Sequence, residues 1–281
     1  MSNELLLEKL EDDLIDKLDQ FPGVAGVSIK DLISGNDISI NGNEIFPTAS
    51  IIKIHILTYL LKMAESGSID INKRISVDKN EFTGGTGILK YLKGKPDLTL
   101  RDIAVLMIML SDNTATNICI DLLGIENINS FISDMELSST KLNRKMMDEK
   151  AIIQGNENLS TPKELTKMLE KLYLGLPSKA VSKDVLQIMS EPKNSCLNLS
   201  TPSDITVANK GGGMEHVRGD SGIVFLENNP YIISILTKSC YKGSGFQEKY
   251  IVNIAKDVFE IFNVISSTNQ YGLSIPKDMN L

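Results

Sequence analysis

Three short segments carry side chains that can do covalent chemistry together: Ser50-Ile51-Ile52-Lys53, Ser111-Asp112-Asn113 and Lys210-Gly211-Gly212. Pro47-Thr48-Ala49 precedes Ser50 and an apolar run follows it (Ile51, Ile54, Ile56, Leu57, Leu60, Leu61), so Thr48 is expected to N-cap a buried helix with Ser50 in its first turn. The unpaired N–H groups and the positive dipole end there suit a developing oxyanion. Lys53 lies one turn on, on the face of Ser50. Burial disfavours an ammonium, so a buried Lys53 can be neutral and take the serine proton. Ser111 offers a hydroxyl to relay a proton to a leaving group. Asn113 offers an amide to hold Lys53 and a substrate amide. Lys210 puts positive charge at a cleft mouth, Arg218 can add to it, and Gly211 and Gly212 leave a strand edge open to a substrate main chain. Each segment alone has a plainer reading: a capping serine with a snorkelling lysine, a helix-capping turn, a strand ending in a glycine turn. The three in this order describe acyl transfer.

The elements that must position these residues follow from periodicity. Leu5, Leu6, Leu10, Leu14, Ile15 and Leu18 give residues 3–20 an amphipathic helix, ended by Pro22-Gly23. Val24 to Asp31 alternates as a strand, Ser34-Gly35-Asn36-Asp37 turns, and Ile38 to Asn41 pairs back. Helical runs cover 50–65, 99–110, 112–123, 127–134, 161–173 and 179–190. The run 103–110 is apolar on every face, as a central buried helix would be. Strands are expected at 205–210, 222–227 and 231–238, with Asn228-Asn229-Pro230 as a turn, then a helix over 246–264 and a loose polar end. The fold class is therefore α+β: an antiparallel five-stranded sheet flanked by terminal helices, with an inserted all-helical lobe. The expected subdomains are 1–48 with 192–281, and 49–191, with the site between them.

Composition narrows the partners. Lys and Arg total 29 against 36 Asp and Glu, a net charge of -7, which leaves no basic surplus for nucleic acid. No segment reaches the roughly 18 apolar residues of a membrane helix. The acidic amino terminus lacks a basic stretch before an apolar run, so the chain reads as cytoplasmic, or as an exported one whose leader lies outside these 281 residues. Cys119, Cys196 and Cys240 are too widely spaced for a disulfide framework or a zinc site. His55 reads as a helix residue and His216 as a turn residue, so no metal and no cofactor is expected. Gly84-Gly85-Thr86-Gly87 lacks the Lys-Ser/Thr of a P-loop and reads as a flexible rim loop.

S-x-x-K followed by S-D-N and K-T-G is the motif set of class A β-lactamases and penicillin-binding proteins. The chain resembles that family over most of its length. Beyond the motifs, the likeness is carried by Gly85-Thr-Gly-Ile-Leu89, Leu98-Thr-Leu-Arg-Asp102, Ser111 to Asn117 and Val217-Arg-Gly-Asp-Ser-Gly-Ile-Val224. The resemblance implies that Ser50 is acylated and that Lys53 and Ser111 move protons. It implies that Asn113 contacts a small-molecule or peptide acyl substrate, and that Lys210 and Arg218 bind its carboxylate. The N–H of Ser50 and a strand N–H between Gly212 and Met214 would form the oxyanion hole. Two positions depart from the family. Aligning on Leu142 and Arg144 places Met146 where a water-activating glutamate belongs; Asp148 and Glu149 lie near enough to stand in, although Asp148 reads equally as a structural loop carboxylate. Gly211 replaces the usual hydroxyl residue. Three activities fit: a β-lactamase-like serine hydrolase, an esterase or D-alanyl-D-alanine peptidase of the same fold, and a penicillin-binding sensor or scaffold that acylates without turnover.

Overall fold

A computed structural model describes residues 2–269 and 271–274. Helix α1 (Ser2–Asp19) buries Leu7, Leu10, Leu14 and Leu18 along one face. It leads into the hairpin of β1 (Val24–Asp31) and β2 (Asp37–Ile40), whose turn is tied by Asp31 Oδ1 accepting from the N–H groups of Ile33 and Ser34. The next stretch holds β3 (Phe46–Pro47), a 3-10 turn at Ala49–Ile52, α2 (Lys53–Glu65), β4 (Arg74–Ser76) and β5 (Asp97–Thr99). Helices α3 (Leu100–Met109), α4 (Asn113–Leu123), α5 (Ile125–Asp134) and α6 (Glu149–Ile153) precede β6 (Leu159–Ser160). Helices α7 (Pro162–Tyr173) and α8 (Lys179–Ser190) complete the insert, and α9 (Cys196–Ser200) follows it, packed with the terminal helices in the other core. Strands β7 (Thr206–Met214), β8 (Val217–Phe225) and β9 (Tyr231–Lys238) and helix α10 (Ser244–Ser267) close the chain.

The five-stranded sheet has the order β2-β1-β9-β8-β7 and is antiparallel at every pairing. The late meander thus joins the early hairpin through β9 on β1, and β7 is left as an edge. Side chains alternate faces along a strand, and the two faces feed two cores. Ala25, Val27 and Ile29 of β1 and Tyr231, Ile233 and Ile235 of β9 pack with α1 and α10. Ala208, Ile223, Ile232 and Leu236 point the other way, into the core that α2, α3, α7 and α8 share. Polar residues on that second face are paired: Ser234 Oγ meets Ser221 Oγ at 2.7 Å and receives Thr166 Oγ1 at 3.0 Å.

The α+β class, the sheet and the inserted helical lobe are as expected, and several boundaries differ. The helix expected over 50–65 is split: Ser50 sits in the 3-10 turn and the α-helix begins at Lys53. Thr48 makes no side-chain cap; its Oγ1 donates instead to Asn158 O at 3.1 Å. The helix expected at 127 starts at Ile125. The strand expected to stop at 210 runs on to Met214 and its partner starts at Val217, because the Gly211–Gly213 run pairs in register with Arg218–Asp220 rather than turning. The short ladders β3–β6 and β4–β5 and the five-residue helices α6 and α9 lacked enough length for a periodic signal. The polar end from 275 onward lies outside the described residues.

Candidate active site

A cleft of about 430 Å³ opens between the β7 edge, the Ser50 turn, the Ser111 loop and the segment around Met146. Ser50, Ser111, Asn113, Lys210, Gly212 and Arg218 all line it. Lys53 lies beneath, with no exposed surface. Its Nζ donates to Ser111 O at 2.8 Å, Ser111 Oγ at 3.0 Å and Asn113 Oδ1 at 3.1 Å. Burial holds the Lys53 ammonium well below the usual lysine range, and the charge of Lys210 pushes it the same way. Lys210 Nζ donates to Ser111 Oγ at 3.2 Å and Gly211 O at 2.7 Å. Its own pKa falls to about 8, chiefly through burial. One hydroxyl therefore bridges two lysines whose ammonium forms are both disfavoured.

The loop carrying Ser111 is built with strain and tight clamps. Ser111 has φ 50 and Ala49, before the nucleophile candidate, φ 45, a region costly for residues other than glycine. Asp112 caps α4 through Oδ1 to Ala115 N at 3.0 Å, as expected. Its Oδ2 also receives Ile88 N at 2.7 Å and Leu89 N at 2.9 Å. Asn113 Nδ2 donates to Gly84 O at 2.9 Å, and Thr86 Oγ1 donates to Ser111 O at 2.8 Å. The 84–87 loop read as a flexible rim is thus hydrogen-bonded to the Ser111 loop. Gly87, at φ 118, has no alternative, since a Cβ there would fall 2.3 Å from Asp112 Cγ.

Gly212 sets the distance between the edge strand and Ser50. A Cβ on it would lie 2.7 Å from Ser50 N and 2.9 Å from Thr48 O. Gly211 O receives Lys210 Nζ at 2.7 Å. Backbone groups alternate sides along a strand, so the Gly213 N–H shares the side of the Gly211 carbonyl, and both residues line the cleft. With Ser50 N it supplies two donors on one side of the cleft. Arg218 lies flat against Gly213, and its Nη1 is paired with Glu248 Oε2 at 2.9 Å.

Two further charged groups in this wall escaped sequence reasoning. Lys193 lines the cleft with its Nζ on Met189 O at 2.5 Å and Glu191 O at 2.8 Å, and burial lowers its pKa to about 8. Asp220, fully buried, pairs with Gly211 across the strands and accepts from Asn209 Nδ2 at 2.9 Å and Leu197 N at 3.1 Å. Burial raises its pKa. The signal for Asp220 was its place two residues after Arg218; Lys193 lies in a loop with no periodic signal at all.

Asp148 and Glu149 are not brought to the cleft. Both are exposed, and Asp148 caps α6 by accepting Ala151 N at 3.1 Å. Met146 and Met147 line the cleft instead. Their segment is anchored by Asn117, which accepts Met146 N at 2.8 Å and donates to Met146 O at 3.2 Å. Buried Arg144 binds Glu157 through Nε and Nη2. His55 is fully buried on α2, and His216 sits in the β7–β8 turn with Nδ1 against Cys240 O. Among the described residues no group of three His, Cys, Asp or Glu side chains is placed to hold a metal, and no helix is long and apolar enough to cross a membrane.

The chain is 28% identical over 259 residues to the β-lactamase SME-1 of Serratia marcescens, covering 89% of this chain and 85% of that protein. It is 27% identical over 245 residues to an imipenem-hydrolysing β-lactamase of Enterobacter cloacae, covering 84% of each. Its fold superposes on a mutant of the protein PBP-A, solved as its acyl-enzyme complex with penicillin G, with TM-score 0.83 and 27% identity over 92% of this chain and 97% of that one. The model of the beta-lactamase enzyme family matches residues 8–262. By that match, spanning the sheet, the helical lobe and the whole cleft, the chain belongs to the beta-lactamase enzyme family.

Proposed function

We propose that this protein opens β-lactams or related acyl substrates through an acyl-Ser50 intermediate, and that acylation outruns deacylation. The observation that carries the reading is the hydrogen-bonded chain Lys53–Ser111–Lys210 in the cleft that Ser50 lines. Neutral Lys53 takes the proton of Ser50 Oγ as Oγ bonds to the substrate carbonyl carbon. The oxyanion is received by the N–H groups of Ser50 and Gly213. As the C–N bond breaks, the amine nitrogen takes a proton from Ser111 Oγ, which is replenished from a lysine ammonium on either side of it. Lys210 and Arg218 attract the carboxylate of the leaving portion.

The second step, attack of water on the acyl-enzyme, lacks an obvious base. The only carboxylate among the cleft-lining residues is Asp220, and both its oxygens are engaged with Asn209 and Leu197. That supports a long-lived acyl-enzyme, the behaviour of a penicillin-binding protein, and keeps an esterase or D-alanyl-D-alanine peptidase activity as the alternative. The test is intact-protein mass spectrometry with a chromogenic cephalosporin, with colour followed in parallel. A lasting adduct on wild type and none on Ser50→Ala is expected. Rapid colour with no adduct would discard the slow second step; turnover retained by Ser50→Ala would discard the mechanism.

A further inference from the structure

The two walls of the cleft differ in chemistry, and the difference concerns which acyl group fits. The β7 side and its neighbouring loop carry Lys210, Lys193 and Arg218. The facing side carries Met109, Leu110, Met146, Met147 and Ile152, and Met214 joins the two where its Sδ lies 3.6 Å from Arg144 Nη2. Several of these apolar side chains are left in water: Leu110 is 50% exposed, Met147 46% and Ile152 38%. Apolar groups converging unburied on one concavity mark a surface that a ligand covers. Met147 is also held at φ 59, strained for a residue with a side chain. That backbone turns its thioether onto Gly85 beside Asn113: a Cβ at Gly85 would fall 3.0 Å from Met147 Sδ and 2.6 Å from Asn113 Nδ2.

Position tells which end of a substrate meets this wall. The leaving group must lie at Ser111, whose hydroxyl is flanked by Lys53 and Lys210. The acyl side then extends toward Asn113 and meets Met147. Resting on the acyl-Ser50 reading above, we infer that the cleft selects acyl donors whose acyl substituent is bulky and apolar, seated on Met147, Ile152 and Leu110, and that an anion on that substituent is rejected. Methionine suits the task, since its unbranched thioether adapts to differently shaped groups. The cation beside this wall, Arg144, is only 5% exposed and already bound to Glu157 through Nε and Nη2, so it is not free to pair an acyl-side anion, and no carboxylate lines this side to hold water.

The experiment separates binding from chemistry. One penicillin nucleus is prepared with acetyl, phenylacetyl and α-carboxyphenylacetyl side chains, and affinities are measured by titration calorimetry on Ser50→Ala. The phenylacetyl compound is expected to bind about tenfold or more tighter than the acetyl one, the scale of discrimination that apolar pockets reach, and tighter than the α-carboxy compound. Met147→Lys with Ile152→Lys, both on exposed positions, should erase the phenyl preference and favour the α-carboxy compound. Equal affinities for acetyl and phenylacetyl, or binding of none, overturn the inference. Adduct formation on wild type is followed with the same three compounds. Adducts at equal rates sink the selectivity and leave acyl-Ser50 standing; no adduct, with the Ser50→Ala preference intact, sinks acyl-Ser50 and leaves the apolar seat.

Discussion

The two lysines that meet at Ser111 make opposite demands on pH. On the proposed acyl-Ser50 route Lys53 must be neutral to take a proton, and its ammonium is held well below the usual range by burial and by Lys210. On the same route Lys210 must stay charged to hold the substrate anion, and burial lowers its pKa to about 8. Acylation should therefore rise on the acid side as Lys53 deprotonates and fall on the alkaline side near pH 8, a bell measured by stopped-flow adduct formation. Lys210→Arg keeps its charge throughout, so the alkaline limb should disappear; a limb that stays in place would assign it to another group. At Met146, a carboxylate in the cleft wall would provide the base that the proposed second step lacks. Met146→Glu is expected to shorten the life of the acyl-enzyme by about 10²-fold, the lower range of general-base catalysis, while leaving acylation within a few-fold. These lysines, Ser50, Ser111 and Asn113 were legible because each occupies a motif of fixed spacing. Lys193 was not, because its place in the cleft depends on a loop whose path only tertiary structure sets.

At the scale of elements, the site depends on how closely an edge strand approaches a helix start. Gly212 has no room for a methyl group, with Ser50 N at 2.7 Å from the Cβ position. Gly212→Ala should push β7 and the Ser50 turn apart and lower the acylation rate by about 10²- to 10³-fold, the effect of losing an oxyanion donor. Its Tm should move much less than its rate; a variant that acylates normally would show that β7 does not set the oxyanion geometry. Asp112 tests the opposite end of the cleft. Its carboxylate caps α4 and receives two N–H groups from the 88–89 turn. Asp112→Ala removes a cap of about 1 kcal/mol and strands buried donors at about 1–3 kcal/mol. Denaturant unfolding should report a loss of several kcal/mol, and a loss under 1 kcal/mol would deny the clamp. The cap was readable from Asp112 preceding a helical run. The clamp on Ile88 and Leu89 was not, since it spans 24 residues with no local pattern. For the same reason the glycines after Lys210 were read as a strand end: only pairing with Arg218–Asp220 shows that the strand continues.

The whole molecule stacks its helical lobe on one face of the sheet, and α2 runs through the middle of that core. This places His55 two residues past Lys53 with no exposed surface; neither ring nitrogen makes a well-formed hydrogen bond, and the Ile52 backbone three residues back gives the charged ring only partial support. Burial lowers its pKa from 6.5 to about 4, so the native ring is neutral where the unfolded chain would protonate it. The sign follows from proton linkage. Between pH 6.5 and about 4 the unfolded state binds the extra proton, so stability is complete above the unfolded value and falls as pH drops through this window. Below about 4 both states carry the proton and this contribution levels off. The full shift corresponds to roughly 3 kcal/mol. A buried polar ring without a well-formed hydrogen bond is also a poor use of core volume. His55→Leu should therefore flatten the fall in unfolding free energy between pH 6.5 and 4 without lowering it at pH 7.5, as read from urea melts at both ends. If the variant keeps the full acid slope, the loss belongs to carboxylates elsewhere. If it is strongly destabilised at neutral pH, the imidazole is held by a partner after all and its neutrality is not what the fold requires.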